Sequence, residues 1–137
     1  MADLIEFELV SPEKLLVSRA VEMVVVPGSE GDFGALPGHA PLISEIRPGI
    51  IAVFEGGQVQ ERIFVAGGFA EVTNERCTVL AEQATPLAEI DRAAADGELK
   101  NARDDLSTAK TDMERAIAER EIAVAEAKLA ALDNPVY

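Results

Sequence analysis

Residues 27–43 of this 137-residue chain read Pro-Gly-Ser-Glu-Gly-Asp-Phe-Gly-Ala-Leu-Pro-Gly-His-Ala-Pro-Leu-Ile. Four glycines (Gly28, Gly31, Gly34, Gly38) and three prolines (Pro27, Pro37, Pro41) crowd this run. Glycine serves where φ must be positive, and proline fixes φ and removes a donor. Apolar, strand-like segments flank the run on both sides. The expectation is therefore a shaped loop on a sheet rather than a flexible linker. The run lacks both Gly-x-Gly-x-x-Gly and a Gly-Lys-Ser/Thr ending, so it matches neither a dinucleotide fold nor a P-loop.

Short period-two patterns fill the first 84 residues. Ile5, Phe7 and Leu9 alternate with Glu6 and Glu8, and Val21, Met23 and Val25 alternate around Glu22. Ile63 and Val65 follow Arg62, while Cys77, Val79 and Ala81 follow Arg76. Strands this short and closely spaced predict an antiparallel β-sandwich or barrel. Gly56-Gly57 predicts a hairpin between Ile50–Phe54 and Val59–Val65. Thr73-Asn74-Glu75 predicts another, between Phe69–Val72 and Arg76–Ala81. Ile50-Ile51-Ala52-Val53-Phe54 is apolar on both faces, which leaves two readings open: both faces are packed inside, or one meets a partner.

Composition changes at Thr85-Pro86. Beyond it Ala and charged residues dominate, and Gly97 is the only glycine. Thr85 reads as an N-cap with Pro86 in the first helical position. The first helix then runs to about Leu106, with Leu87, Ile90, Ala94 and Leu99 along it. Thr111-Asp112-Met113-Glu114 reads as a capping box. The second helix carries an apolar stripe of Ala118, Ile122, Ala125, Leu129 and Leu132. Two helices of roughly 20 residues, each about 30 Å long, joined by a short connection predict an antiparallel hairpin. The domain division is thus 1–84 for the sandwich and 85–137 for the hairpin.

The formal net charge of −13 repels nucleic acid and anionic lipid. Aromatics make up only 4%, too few for a base-stacking surface. Cys77 is the single cysteine and has no partner at zinc spacing, so it reads as a buried structural thiol. The acidic N-terminus does not resemble a signal peptide, and no apolar run of about 18 residues exists. Any membrane association would run through partners. His39 is the only histidine and reads as a turn residue bonding local backbone. No serine lies in a nucleophile context such as Gly-x-Ser-x-Gly. Glu30 and Asp32 read first as a solvated loop tip. No metal or cofactor site is expected.

The order Gly-Ser-Glu-Gly-Asp-Phe-Gly-x-Leu-Pro-Gly-His-Ala-Pro-Leu resembles the epsilon subunit of rotary proton-translocating ATP synthases, and the sandwich-plus-hairpin plan is similar to that family throughout. The resemblance implies a non-catalytic central-stalk subunit that turns with the rotor and couples proton flow to ATP synthesis. The sandwich would bind the gamma subunit and stand on the membrane c-ring. Ser29, Glu30, Gly31, Asp32 and Phe33 would make the ring contact, with Asp32 facing it. Pro27, Gly28, Gly34, Pro37, Gly38 and His39 would shape that loop. The hairpin would be the regulatory element and the route to the alpha and beta subunits. The implied location is the cytoplasmic face of the bacterial inner membrane, as a peripheral part of the complex.

In inhibitory members of the family, basic side chains on the second helix meet an acidic segment of beta. Here Thr111 to Leu132 carries five acidic and three basic side chains, a net of −2, so that attraction is poor. A nucleotide-sensing module is the alternative function. Nucleotide-binding relatives carry Ile/Leu-Asp-x-x-Arg-Ala on the first helix. Ile90 and Asp91 keep that pattern, but Ala94 stands where the arginine would. The phosphates would lose their bidentate donor. Titrating the protein with ATP in a calorimeter should give no saturable heat below about millimolar concentration; a micromolar isotherm would restore the sensor reading.

Overall fold

The computed structural model describes residues 3–135 and 137. They form two units, one running up to Leu87 and including Tyr137, the other beginning at Ala88.

The first unit contains eight strands: β1 Ile5–Val10, β2 Leu15–Val21, β3 Met23–Gly28, β4 Gly31–Ala35, β5 Leu42–Glu45, β6 Gly49–Glu55, β7 Gln58–Val72 and β8 Arg76–Pro86. The sheet order is β2-β1-β8-β7-β6-β3-β4, and β5 pairs with β7 off that path. All of these pairings are antiparallel except β1 with β8, which is parallel. This is the β-sandwich that the alternation predicts. Its core holds Ile5, Phe7 and Leu9 of β1 against Val24 and Val26, Ile51 and Val53, Val72, Cys77 and Val79.

Both predicted hairpins form. Gly56 and Gly57 have φ of 63° and 74°, as a two-residue hairpin turn requires. In the β7–β8 turn, Thr73 Oγ1 accepts from the backbone N–H groups of Glu75 and Arg76. The sequence pattern did not join Val59–Val65 to Phe69–Val72, yet they are one 15-residue strand. Inward-facing residues are odd-numbered before the middle of β7 (Ile63, Val65) and even-numbered after it (Ala70, Val72). Gly67 and Gly68, with φ of 71° and 108°, absorb that change of face. The corner divides one edge of β7. Residues up to Val65 pair with β6, and Phe69–Val72 pair with β5.

The doubly apolar segment in β6 is partitioned cleanly. Ile51 and Val53 enter the core. Ala52, on the opposite face, is buried as well, while Ile50 and Phe54 are half-buried. The Phe54 and Tyr137 rings make a T-shaped contact, with centroids 6.3 Å apart.

The boundary region corrects the sequence reading. Thr85 and Pro86 do not start a helix; they extend β8, opposite Phe64 and Ile63. A short 3-10 turn, Leu87–Glu89, follows, and helix α1 spans Arg92–Thr108 with Asp91 as its N-cap. Strand pairing at Thr85 outweighs its capping preference, and Asp91 supplies the cap oxygen to Ala93 N at 3.0 Å. A chain cut after Ala84 would lose the last pairs of β8, so Leu87 is the better end of the sheet unit.

Helix α2 spans Asp112–Asp133, with Thr111 as N-cap accepting from Glu114 N. The Glu114 carboxylate accepts from Lys110 N rather than from the cap's own N–H. The two helices bury mainly alanines: Ala95 and Ala102 of α1, and Ala118, Ala125 and Ala131 of α2. Ala94, read from the sequence as one of the apolar residues along the first helix, is exposed, and the buried alanine is the next residue, Ala95. Arg92–Asp133 at 2.5 Å and Lys128–Glu98 at 3.0 Å tie the two helices together.

A Cβ at position 68 would lie 1.9 Å from the carbonyl oxygen of Leu80. Gly68→Ala should therefore destabilise the sheet unit by about 3 kcal/mol and lower its melting temperature by roughly 15 °C. Gly97, in α1, has open space around it. Gly97→Ala should raise helix stability by about 0.5–1 kcal/mol. Circular dichroism melts of the two variants check both signs.

Candidate functional site

The loop that dominates the sequence is a hairpin with a rigid base. Gly28 pairs with Gly31, so the β3–β4 turn is only Ser29-Glu30. Gly31 has φ of 137°, a conformation suited to glycine. A Cβ at Gly28 would sit 2.8 Å from the Gly31 carbonyl oxygen, so glycine is required there for close approach. Phe33 packs its ring against the core.

The tip is stitched to the strand connection beside it. Ser29 N donates to Glu45 O at 2.8 Å, Gly28 bridges Ile46, and Arg47 N donates to Pro27 O at 3.0 Å. The Arg47 guanidinium then bonds Gly28 O at 2.6 Å and Asp32 Oδ1 at 2.5 Å. Tyr137 OH donates to the other oxygen, Asp32 Oδ2, at 3.0 Å. Burial and the Asp32 carboxylate both raise the Tyr137 phenol above its ordinary value, against a lowering by Arg47. The Glu30 side chain is exposed and makes no hydrogen bond or ion pair among the described residues.

Downstream, Pro37-Gly38 sits at the centre of a turn closed by His39 N donating to Leu36 O at 3.1 Å. Gly38 has φ of 83°, as the third position of a type II turn demands. Gly38 N donates to Asn74 O at 2.8 Å, anchoring this turn to the β7–β8 hairpin. His39 Nδ1 bonds Ala40 O at 2.5 Å, a local backbone contact of the kind the sequence suggests. Gly34 lies under Met23, whose sulfur would be 3.3 Å from an added Cβ. All of the loop-shaping positions named from the sequence thus fall in one connected segment.

Ile90 and Asp91 lie outside this segment. Ile90 precedes α1, and the Asp91 carboxylate caps it. Sequence reasoning missed Arg47 and Tyr137. Tyr137 is 105 residues from Asp32, and no spacing rule could have joined them.

A different feature lies on the outer face of the sheet. Phe69 faces Leu80, Leu80 is beside Val10, and Val10 is opposite Leu15. These four residues form one apolar row across β7, β8, β1 and β2. Phe69, Leu80 and Leu15 are 52%, 55% and 57% exposed, and Ile43 on β5 is 70% exposed. Apolar side chains adjacent on one exposed sheet face are the kind of surface that protein partners cover.

Among the described residues no group of three or more His, Cys, Asp or Glu could hold a metal ion. No helix among them is long and apolar enough to cross a membrane.

The family model for the ATP synthase delta/epsilon chain, beta-sandwich domain, matches residues 4–87. The chain is 71% identical over 82 residues to the ATP synthase epsilon chain of Rhodospirillum rubrum, covering 60% of this chain and 61% of that one. It is 71% identical over 84 residues to that of Rhodospirillum centenum, covering 60% and 58%. These matches span about three-fifths of the relatives' length. A chain in the Euglena gracilis mitochondrial ATP synthase OSCP/F1/c-ring structure superposes with a TM-score of 0.81 at 27% identity, covering 94% of this chain and 81% of that one. A chain in the Tetrahymena thermophila mitochondrial ATP synthase central stalk/c-ring structure, at 12% identity and a TM-score of 0.68, shares the fold, covering 93% and 96%.

Burial pushes the Cys77 thiol up to about 12 from an ordinary value of 9.0. A folded-state value raised in this way stabilises the fold fully below pH 9.0, and the contribution is lost as pH climbs towards 12. At pH 8 a thiol reagent should modify native Cys77 at least about 100-fold more slowly than the denatured chain. Rapid labelling of folded protein would contradict the burial.

Proposed function

The chain belongs to the ATP synthase delta/epsilon chain family, and on that premise we propose that it is a non-catalytic rotor subunit of the central stalk. In this reading it joins the gamma subunit to the membrane c-ring and helps couple proton flow to ATP synthesis. The observation that carries it is the exposed apolar row Phe69–Leu80–Val10–Leu15 with Ile43 beside it. A sheet already complete at this face needs no further strand. What it offers is a preformed apolar surface for another protein, and gamma is the occupant proposed. The Ser29–Phe33 loop, polar and held rigidly by its neighbours, is the proposed ring contact. The helical unit is left to meet the alpha and beta subunits. Membrane attachment is then peripheral and indirect, at the cytoplasmic face of the bacterial inner membrane.

The nucleotide-sensing alternative draws no support from the geometry. Asp91 is engaged as a helix cap, and the exposed residue at position 94 is an alanine.

Phe69→Asp with Leu80→Asp tests the gamma surface. Both side chains are more than half exposed, so the variant should fold and melt near the wild-type temperature. Co-expressed with the other subunits, it should lose at least about 90% of its co-purification with gamma, equivalent to about 1.4 kcal/mol or more. Undiminished co-purification would overturn the assignment.

A further inference from the structure

The outer apolar row has a direction and a spacing. Phe69, Leu80, Val10 and Leu15 succeed one another on four hydrogen-bonded strands, so the row runs across the strands rather than along one. Neighbouring strands are about 4.8 Å apart, so the row presents an apolar side chain at each such step over about 14 Å. An α-helix advances about 5.4 Å per turn, and its residues at i, i+4 and i+7 recur on one face at nearly that interval. An extended strand laid along the same line would bring a side chain to the face only every 6.8 Å or so. It would also set its backbone N–H and C=O groups against apolar side chains that offer them no partner. A helix satisfies its backbone internally, and its stripe matches the row.

The two ends of the row differ in charge. Glu45 stands opposite Phe69 on β5, and Glu71 follows Phe69 by two residues on β7. The Glu82 side chain lies over Gly67, at the corner beside them. All three are exposed, and no hydrogen bond or ion pair engages their carboxylates among the described residues. Nearer Val10, the Glu8 carboxylate is already paired with Arg76. Uncompensated negative charge therefore gathers at the Phe69 end. A long basic side chain can lay its stem on the half-exposed Phe69 ring and send its charge to these carboxylates. A second copy of this chain is a poor occupant, because each carries a net charge of −13.

We infer that the outer row receives one amphipathic helix of the partner, about three turns long, whose apolar stripe lies along Phe69–Leu80–Val10–Leu15 and whose basic end lies at Phe69. The inference rests on the proposed gamma surface and specifies what gamma presents to it. Burial of the row holds the helix in place. The carboxylates speed its arrival and set its direction, since a reversed helix would carry its cations to the Leu15 end, away from them.

Two measurements on the full chain test the two halves of the inference. Leu80→benzoylphenylalanine and, separately, Leu15→benzoylphenylalanine read the spacing. The two positions are two strand steps apart, about 10 Å, which is the rise of about seven helical residues. After irradiation of the assembled complex, the two adducts should map about seven residues apart on one helix of gamma. Adducts about three residues apart, as an extended strand would give, adducts in separate segments, or none would overturn the helix. Glu45→Lys with Glu71→Lys reads the charge. It should slow association with the gamma-containing soluble complex at least about ten-fold at low salt, and the difference should vanish near 1 M salt, where the Debye length is about 3 Å. Glu45→Asp with Glu71→Asp should keep the wild-type rate. An unchanged rate in the reversed variant would overturn the basic end. Phe69→Asp with Leu80→Asp separates these outcomes from the gamma surface itself. If that variant still binds gamma, the surface is wrong; if it does not, contrary adducts or rates reject only the helix or its basic end.

Discussion

The long hairpin β7–β8 has to serve both layers of the sandwich, and it does so by turning at Gly67-Gly68. At that corner the backbone of Gly68 approaches Leu80 so closely that an added Cβ would lie 1.9 Å from its carbonyl oxygen. No side chain fits there, and a φ of 108° disfavours any residue but glycine. The face of β7 that points inward changes parity at the same place, from Ile63 and Val65 to Ala70 and Val72. An uninterrupted strand would keep one parity and turn Ala70 and Val72 away from the core that Ile63 and Val65 face. The corner therefore decides which residues make the core and which make the outer row.

From the corner the structure leads directly to the loop. Gly68 O accepts from Ile46 N at 3.0 Å. Ile46 bridges Gly28, Glu45 O accepts from Ser29 N, and Arg47 reaches Pro27, Gly28 and Asp32. Three consecutive residues, Glu45-Ile46-Arg47, thus fasten the β3–β4 turn to the strand that defines the sandwich. A shaped loop on a sheet is what the glycine and proline pattern called for. Its rigidity comes from this neighbouring segment as much as from its own turn residues.

How much of this was legible beforehand follows from the range of each interaction. The strands, the Gly56-Gly57 and Thr73-Asn74-Glu75 turns and the Thr111 cap rest on neighbours in sequence, and local patterns carried them. Pro37-Gly38 is likewise local. The start of α1 was misplaced because Thr85-Pro86 satisfies the local rules for a helix N-terminus. Its pairing with Ile63 and Phe64, more than 20 residues away, is stronger than that preference. The parallel β1–β8 pairing and the Arg47–Asp32–Tyr137 contacts depend on tertiary placement. Ala66-Gly67-Gly68-Phe69 did hold a usable signal: paired glycines within a long apolar strand indicate a bulge or a corner.

The two proposed contacts differ in the physics that would drive them. Phe69, Leu80 and Leu15 lie on paired strands, so their positions are set before a partner binds. Covering side chains that are half exposed yields about 1 kcal/mol each by apolar burial, and little ordering entropy opposes it. The loop tip has almost no apolar surface to cover, and a solvent-facing carboxylate adds at most about 1 kcal/mol to a contact. Affinity would therefore reside in the sheet face, and orientation in the loop. A subunit held firmly on one side and steered electrostatically on the other can stay on the stalk while its tip is registered against a second, weaker partner. In such an arrangement the hydrogen bonds of Asp32 to Arg47 and Tyr137 would help to keep the turn in one conformation, because a mobile turn would lose a small binding energy to ordering.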